Sequence, residues 1–93
     1  MATIDRLRTR LTEAFAPLRL DIVDESALHA GHAGARPGGE THFRVAIVSD
    51  AFAGQSRVAR QRAVYGVLAA EMAGQVHALS LTVQTPAEAE LQP

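Results

Sequence analysis

The side chains best suited to chemistry in this sequence are four histidines, His29, His32, His42 and His77. A neutral imidazole nitrogen is a good donor to transition metals, and it titrates near neutral pH, so histidine ligation can be labile. The 93 residues include no cysteine. That excludes a disulfide framework and a catalytic thiol. It also means that the chain cannot hold an iron–sulfur cluster through thiolates of its own. Asp24, Glu25 and Ser26 with His29 make a conceivable hydrolytic set. No nucleophile-elbow or oxyanion pattern accompanies them, and Ser26 better serves the loop backbone, so no enzyme is read from them.

Arginine is the second candidate group: all nine basic residues are arginine and none is lysine. Arg57, Arg60 and Arg62 cluster at the start of a helical segment. Arg57 and Arg60 are helix neighbours, while Arg62 projects elsewhere. They read either as a solvated helix end or as a surface for a partner or nucleic acid. The net charge of −1 argues against a dedicated nucleic-acid binder. Gly31-His32-Ala33-Gly34 has the letters of a GxxG clamp, but it lies between two strands rather than two helices, so RNA binding of that type is not supported.

These residues are positioned by a short succession of elements. Ile4, Leu7, Leu11 and Phe15 recur at helical spacing; Thr3 is a candidate cap, Asp5 suits the first turn and Pro17 ends the helix. Leu18, Leu20 and Ile22 alternate with polar residues as a first strand, and Phe43, Val45 and Ile47 as a second. Between them, residues 24–41 form a glycine-rich loop far longer than an ordinary hairpin connection, which marks it as a functional candidate. A helix follows from about Ser56 to Ala73, with Val58, Val64, Tyr65, Val67, Leu68 and Met72 on its apolar side and Gly74 as its C-terminal cap. Val76–Val83 is a third strand. Pro86 opens a short last helix with Glu88 and Glu90 solvated, and residues 87–93 read as a frayed tail.

One domain, 1–93, accommodates all of this. Aromatics are only 4% of the chain, so its thin core is expected to be Val, Leu, Ile and Ala. There is no membrane-length apolar run and no signal-peptide pattern; a soluble, monomeric, cytoplasmic protein is expected. The fold class is α/β (α+β), in the order helix, strand, strand, helix, strand, helix. The helical crossover makes strand three parallel to strand two if they are neighbours. His77 then lies at the sheet end that carries the loop with His29 and His32. An alternative stays open: His77 shares parity with Leu79, Leu81 and Val83, which fits a core-facing residue.

Taken in order, Val23-Asp24-Glu25-Ser26, the histidine-bearing glycine loop, Gly39-Glu40-Thr41-His42-Phe43, the Phe52–Arg62 run and Val76-His77-Ala78-Leu79-Ser80 resemble the BolA family, over about residues 4–86. Gln61 departs from the histidine that many relatives carry between two arginines. The resemblance implies a three-stranded, type II KH-like fold and a non-enzymatic partner of monothiol glutaredoxins. Such a protein would share a glutathione-containing [2Fe–2S] cluster in iron–sulfur trafficking or iron regulation. The family's ligand positions fall on His77 and His29, with His32 in reserve; His42 is expected to pack at a strand edge. The alternative role attributed to the family is DNA-binding regulation of morphology and stress genes, here through Arg57, Arg60 and Arg62.

Overall fold

The computed structural model describes residues 3–25, 42–74, 76 and 78–91. His29, His32 and His77 lie outside the described residues. Helix α1, Thr3–Phe15, buries Leu7 and Leu11 completely, with Ile4 and Phe15 packed beside them. Thr3, expected as a cap, is itself the first described helical residue and is buried. The helix closes at Ala16, whose amide donates to the Thr12 carbonyl at 3.0 Å and whose φ is 43°. A left-handed conformation costs a non-glycine residue about 1–2 kcal/mol. Pro17 directly afterwards disfavours a continued right-handed helix at Ala16.

Strand β1, Arg19–Asp24, pairs antiparallel with β2, His42–Val48, from Arg19 opposite Val48 to Asp24 opposite Phe43. Strand β3, Ala78–Gln84, lies on the other side of β2 and runs parallel to it, from Ala78 opposite His42 to Gln84 opposite Val48. This is the mixed three-stranded sheet that the sequence implies. Strand β3 starts two residues later than expected. Leu79, Leu81 and Val83 pack against the core from it, yet Val76, of the opposite parity, is also buried there. The alternation therefore begins at Ala78 and does not run back across Val76, so parity with Leu79 assigns no face to position 77.

The centre of the core is Phe43, Val45 and Ile47 of β2, against Leu7 and Leu11 of α1 and Val64 and Leu68. The expectation of an aliphatic core is corrected here. Phe43 and Phe52 are the largest fully buried side chains, and Phe15 packs on Phe52 with ring centroids 4.8 Å apart. A phenylalanine buries more apolar area than any aliphatic residue, so a few of them placed centrally dominate a small core.

Beyond β2, Ser49 caps a 3-10 turn, Asp50–Phe52, and Gly54 takes φ +76° with open space around its Cβ direction. Backbone conformation, not crowding, calls for glycine there. Helix α2, Arg57–Val67, begins at Ser56, whose side chain accepts from the Ala59 amide at 3.1 Å. The expected long helix is two: α2 gives way at Leu68 to α3, Ala69–Ala73, with Gly74 as its C-terminal cap. Helical hydrogen bonds continue across the junction, from Leu68 to Val64 and from Met72 to Leu68. The low helix propensity of Gly66 weakens the helix just before the break.

Val58 and Tyr65, expected on the apolar side of this helix, point outward and are 58% and 38% exposed. At 100° per residue, Tyr65 and Val58 lie about 60° and 80° round from Leu68, on the flank of the face that Val64, Val67 and Leu68 turn inward. The last helix, α4, Pro86–Glu90, has a capping box between Thr85 and Glu88.

Candidate functional site

Three strand ends meet at one end of the sheet: β1 finishes there at Asp24, and β2 and β3 begin there at His42 and Ala78. His29 and His32 belong to the segment that joins Asp24 to His42, and His77 directly precedes Ala78. The register thus brings together the two ends of the segment that carries His29 and His32, and the residue that follows His77. His42 is exposed at the start of β2, the central strand, and so does not lie on an edge strand of the sheet. Beside it Arg44 forms an ion pair with Glu25, Nη2 to Oε2 at 2.9 Å. Among the described residues no group of three or more His, Asp or Glu side chains is placed to hold a metal.

The three arginines of α2 have separate fates. Arg60 is 12% exposed at its side chain, and all three of its nitrogens donate hydrogen bonds. Its Nη1 and Nη2 donate to Glu88 at 2.6 and 3.1 Å, its Nε donates to the Gln55 carbonyl at 3.0 Å, and Nη1 also reaches the Val83 carbonyl at 3.3 Å. This planar fork binds α4 and β3 to α2. The Arg60 guanidinium and the Thr85 amide together hold the Glu88 carboxyl down to about 2, and Glu88 in turn raises Arg60. Glu88 is therefore a structural partner, not the solvated residue the sequence suggested. Arg57 and Arg62 are exposed and make no ion pair among the described residues. On the same helix the Tyr65 hydroxyl donates to the Leu79 carbonyl at 3.0 Å, so its ring is fixed at the beginning of β3.

Two further polar sites escaped the sequence. The Ser49 hydroxyl donates to the Phe15 carbonyl at 2.6 Å and accepts from the Ala51 amide at 3.1 Å, while its amide donates to the Gln84 carbonyl at 3.0 Å. Glu71, buried on α3, lies with both carboxylate oxygens 3.0 Å from Arg10 Nε, which donates to Oε2. Oε1 receives no hydrogen bond among the described residues. No local pattern announces a contact between residues 61 positions apart. The Arg60–Glu88 pair did have a signal: Thr85-Pro86-Ala87-Glu88 is a capping-box sequence, which orders Glu88.

A family model described as BolA-like protein matches residues 11–88. The chain belongs to the BolA family. The solved structure of BolA1 from Arabidopsis thaliana resembles this BolA chain with a TM-score of 0.82 at 38% identity, covering 100% of this chain and 99% of that one. SufE-like protein 1, chloroplastic/mitochondrial, from Arabidopsis thaliana is 46% identical over 87 residues. That match takes in 89% of this chain but only 24% of the plant protein, so the chain spans about a quarter of that relative. The DNA-binding transcriptional regulator BolA of Escherichia coli (strain K12) is 42% identical over 86 residues, covering 92% of this chain and 78% of the regulator. Among the described residues of this BolA protein no helix is long and apolar enough to cross a membrane.

Proposed function

We propose that this chain is a non-enzymatic cytoplasmic adaptor. It binds a monothiol glutaredoxin and shares a glutathione-containing [2Fe–2S] cluster with it, in iron–sulfur trafficking or iron regulation. His77 and His29 are the nitrogen donors, with His32 in reserve. The observation that supports this reading is the sheet register, in which Asp24 and His42, the ends of the segment that carries His29 and His32, lie at the same end of the sheet as Ala78, which follows His77. The donor set fits partial ligation: a chain without cysteine offers imidazoles and leaves the thiolate positions to glutaredoxin and glutathione. A bound cluster supplies a one-electron couple, whose potential rises when neutral imidazoles replace thiolates. The chain's own part is to present its two nitrogens in their neutral form and to hold the partner in place.

His77→Ala tests this. If His77 is a ligand at a partner-facing strand end, the isolated variant loses at most about 1 kcal/mol of stability. The reconstituted heterocomplex then changes its visible absorption and circular dichroism and loses cluster faster. A fall of roughly 2–3 kcal/mol together with an unchanged cluster spectrum marks a core residue instead. His29→Ala, His32→Ala and the double variant, measured in parallel, identify the loop donor.

The name of the Escherichia coli relative supports a second reading, DNA-binding regulation of morphology or stress genes through the arginines of α2. Arg60 is occupied by Glu88, which leaves Arg57 and Arg62 for phosphates. Two such contacts give a slope of about −2 for log affinity against log salt. A slope of about that size, lost in Arg57→Gln/Arg62→Gln, would favour this role, and a slope that the double variant leaves unchanged would exclude it.

A further inference from the structure

We infer that the cleft between α1 and α3 binds a small zwitterion, a free α-amino acid whose ammonium meets Glu71 and whose carboxylate meets Arg6 and Arg10. This does not rest on the adaptor reading. The cleft has a volume of about 270 Å³ and is lined by Arg6, Thr9, Arg10, Glu13 and Glu71. Pockets for drug-sized ligands begin at about 300 Å³, so this one suits a smaller molecule. Positions 6, 9, 10 and 13 stand at i, i+3, i+4 and i+7, so they form one polar stripe of α1. All four residues are exposed, and Glu71 of α3 is the buried floor beneath them.

Glu71 is the residue that points to a ligand. Its side chain is 6% exposed. Its carbonyl accepts from the Gly74 and Val76 amides, each at 3.2 Å, so the backbone that carries the carboxylate is held in place. Both carboxylate oxygens lie 3.0 Å from Arg10 Nε, but only Oε2 accepts its proton; Oε1 is buried and receives no hydrogen bond among the described residues. A buried charged acceptor without a donor is costly, and folded proteins rarely keep one. An ammonium group supplies the missing donor. Arg10 is half exposed at its side chain, so it is free to shift onto Oε2, where its hydrogen bond already lies, and uncover Oε1.

Charge selects the ligand. Arg6 and Glu13 enter no ion pair among the described residues. Arg6 and Arg10 are like charges four residues apart on one helix, an unfavourable spacing that a carboxylate between them relieves. A plain anion in the cleft meets Glu13 and Glu71, and a plain cation meets Arg6 and Arg10. A molecule with both charges on one carbon finds a partner for each. A peptide N-terminus lacks the carboxylate on that carbon and a C-terminus lacks the ammonium, so the cleft fits a free amino acid rather than a chain end.

The test is an amide chemical-shift titration of the full chain by NMR, with L-alanine, N-acetyl-L-alanine and L-alaninamide as probes. L-Alanine is expected to give saturable shifts in α1 and α3. The other two probes each lack one charge and should bind at least about tenfold more weakly. Arg6→Gln, at an exposed position, is expected to weaken L-alanine binding about five- to tenfold with an unchanged thermal melt. Glu71→Gln should weaken it at least about tenfold. Arg8→Gln, exposed on α1 and outside the cleft, should leave affinity unchanged. No saturable shift from L-alanine, or equal affinity in wild-type and Arg6→Gln, overturns the proposal. N-acetyl-L-alanine binding as tightly as L-alanine would make this a plain anion site, and L-alaninamide doing so a plain cation site; either result overturns it. If Glu71→Gln does not fold, Arg6→Gln and the three probes still decide the matter.

Discussion

Where β2 and β3 finish, the molecule is tied in several directions. Ser49 joins the end of α1, the end of β3 and the turn at Ala51, while Phe15 packs on Phe52. Arg60 draws α4 and the end of β3 to α2. Where β2 and β3 begin, the described side chains are of another kind. His42 and Arg44 are exposed, the Arg44–Glu25 pair lies at the surface, and Ala78 opens β3 uncovered. One sheet thus has an end tied by several polar groups to three helices and a turn, and an end whose charged side chains are more exposed and whose tie to α2 is the Tyr65 hydroxyl on the Leu79 carbonyl. Fixing one end firmly allows the other to carry residues that add little to stability, which is how small domains present a site.

The comparison breaks most easily at Phe52. Phe52→Ala should cost about 3–5 kcal/mol in denaturant unfolding, since the ring is fully buried and Phe15 would lose its partner. A loss under about 1 kcal/mol would mean that this end is not the anchor. Ser49→Ala comes next, at about 1–3 kcal/mol, because it removes the buried hydroxyl that bonds the part-buried Phe15 carbonyl and the Ala51 amide.

Glu88→Gln sharpens the contrast through pH. The Glu88 carboxyl is depressed from 4.5 to about 2 in the folded chain, so the unfolded state binds the proton first as pH falls. The stability from this pair is present above about pH 4.5 and lost as pH drops toward 2. Thermal melts across that window should fall more steeply for wild-type than for Glu88→Gln; parallel curves would show that the pair does not couple α4 to the fold.

Smaller effects refine the picture. Ala16→Gly should gain about 0.5–1 kcal/mol by removing a side chain from a left-handed position. Destabilisation there would mean that unfolded-state entropy outweighs the strain. Arg44→Ala, at the opposite end, should cost no more than about 0.5 kcal/mol, as expected of an exposed ion pair. A cost above 1 kcal/mol would erase the distinction between the two ends.

Much of the architecture was legible because it rests on short-range patterns. The alternation of Leu20 with Ile22, of Phe43 with Val45 and Ile47, and of Leu79 with Leu81 and Val83 gave three strands. The intervening helix then required β3 to run parallel to β2. What stayed hidden depends on which residues meet in space. Val58 and Tyr65 look apolar in any helical wheel, but only the packed structure turns them outward. Arg60 and Arg62 are indistinguishable as letters, yet one fills a carboxylate fork and the other is exposed. The Arg10–Glu71 contact has no local signature at all. At the candidate site, topology placed Asp24, His42 and Ala78 at one end of the sheet, while His29, His32 and His77 lie outside the described residues.

The bonds from α2 to β3 have one more consequence. The Gln84 carbonyl faces β2, where it accepts from Ser49, so Leu79, Leu81 and Val83 direct their carbonyls to the free margin of the sheet. Tyr65 and Arg60 occupy two of the three, those of Leu79 and Val83. A foreign strand cannot pair there without displacing both side chains, so this margin is sealed against aggregation by strand addition. Strand β1 forms the other margin. If two molecules ever join β1 to β1 about a two-fold axis, the six-stranded sheet ends at a sealed margin on each side, and assembly stops at a pair instead of growing into a fibre.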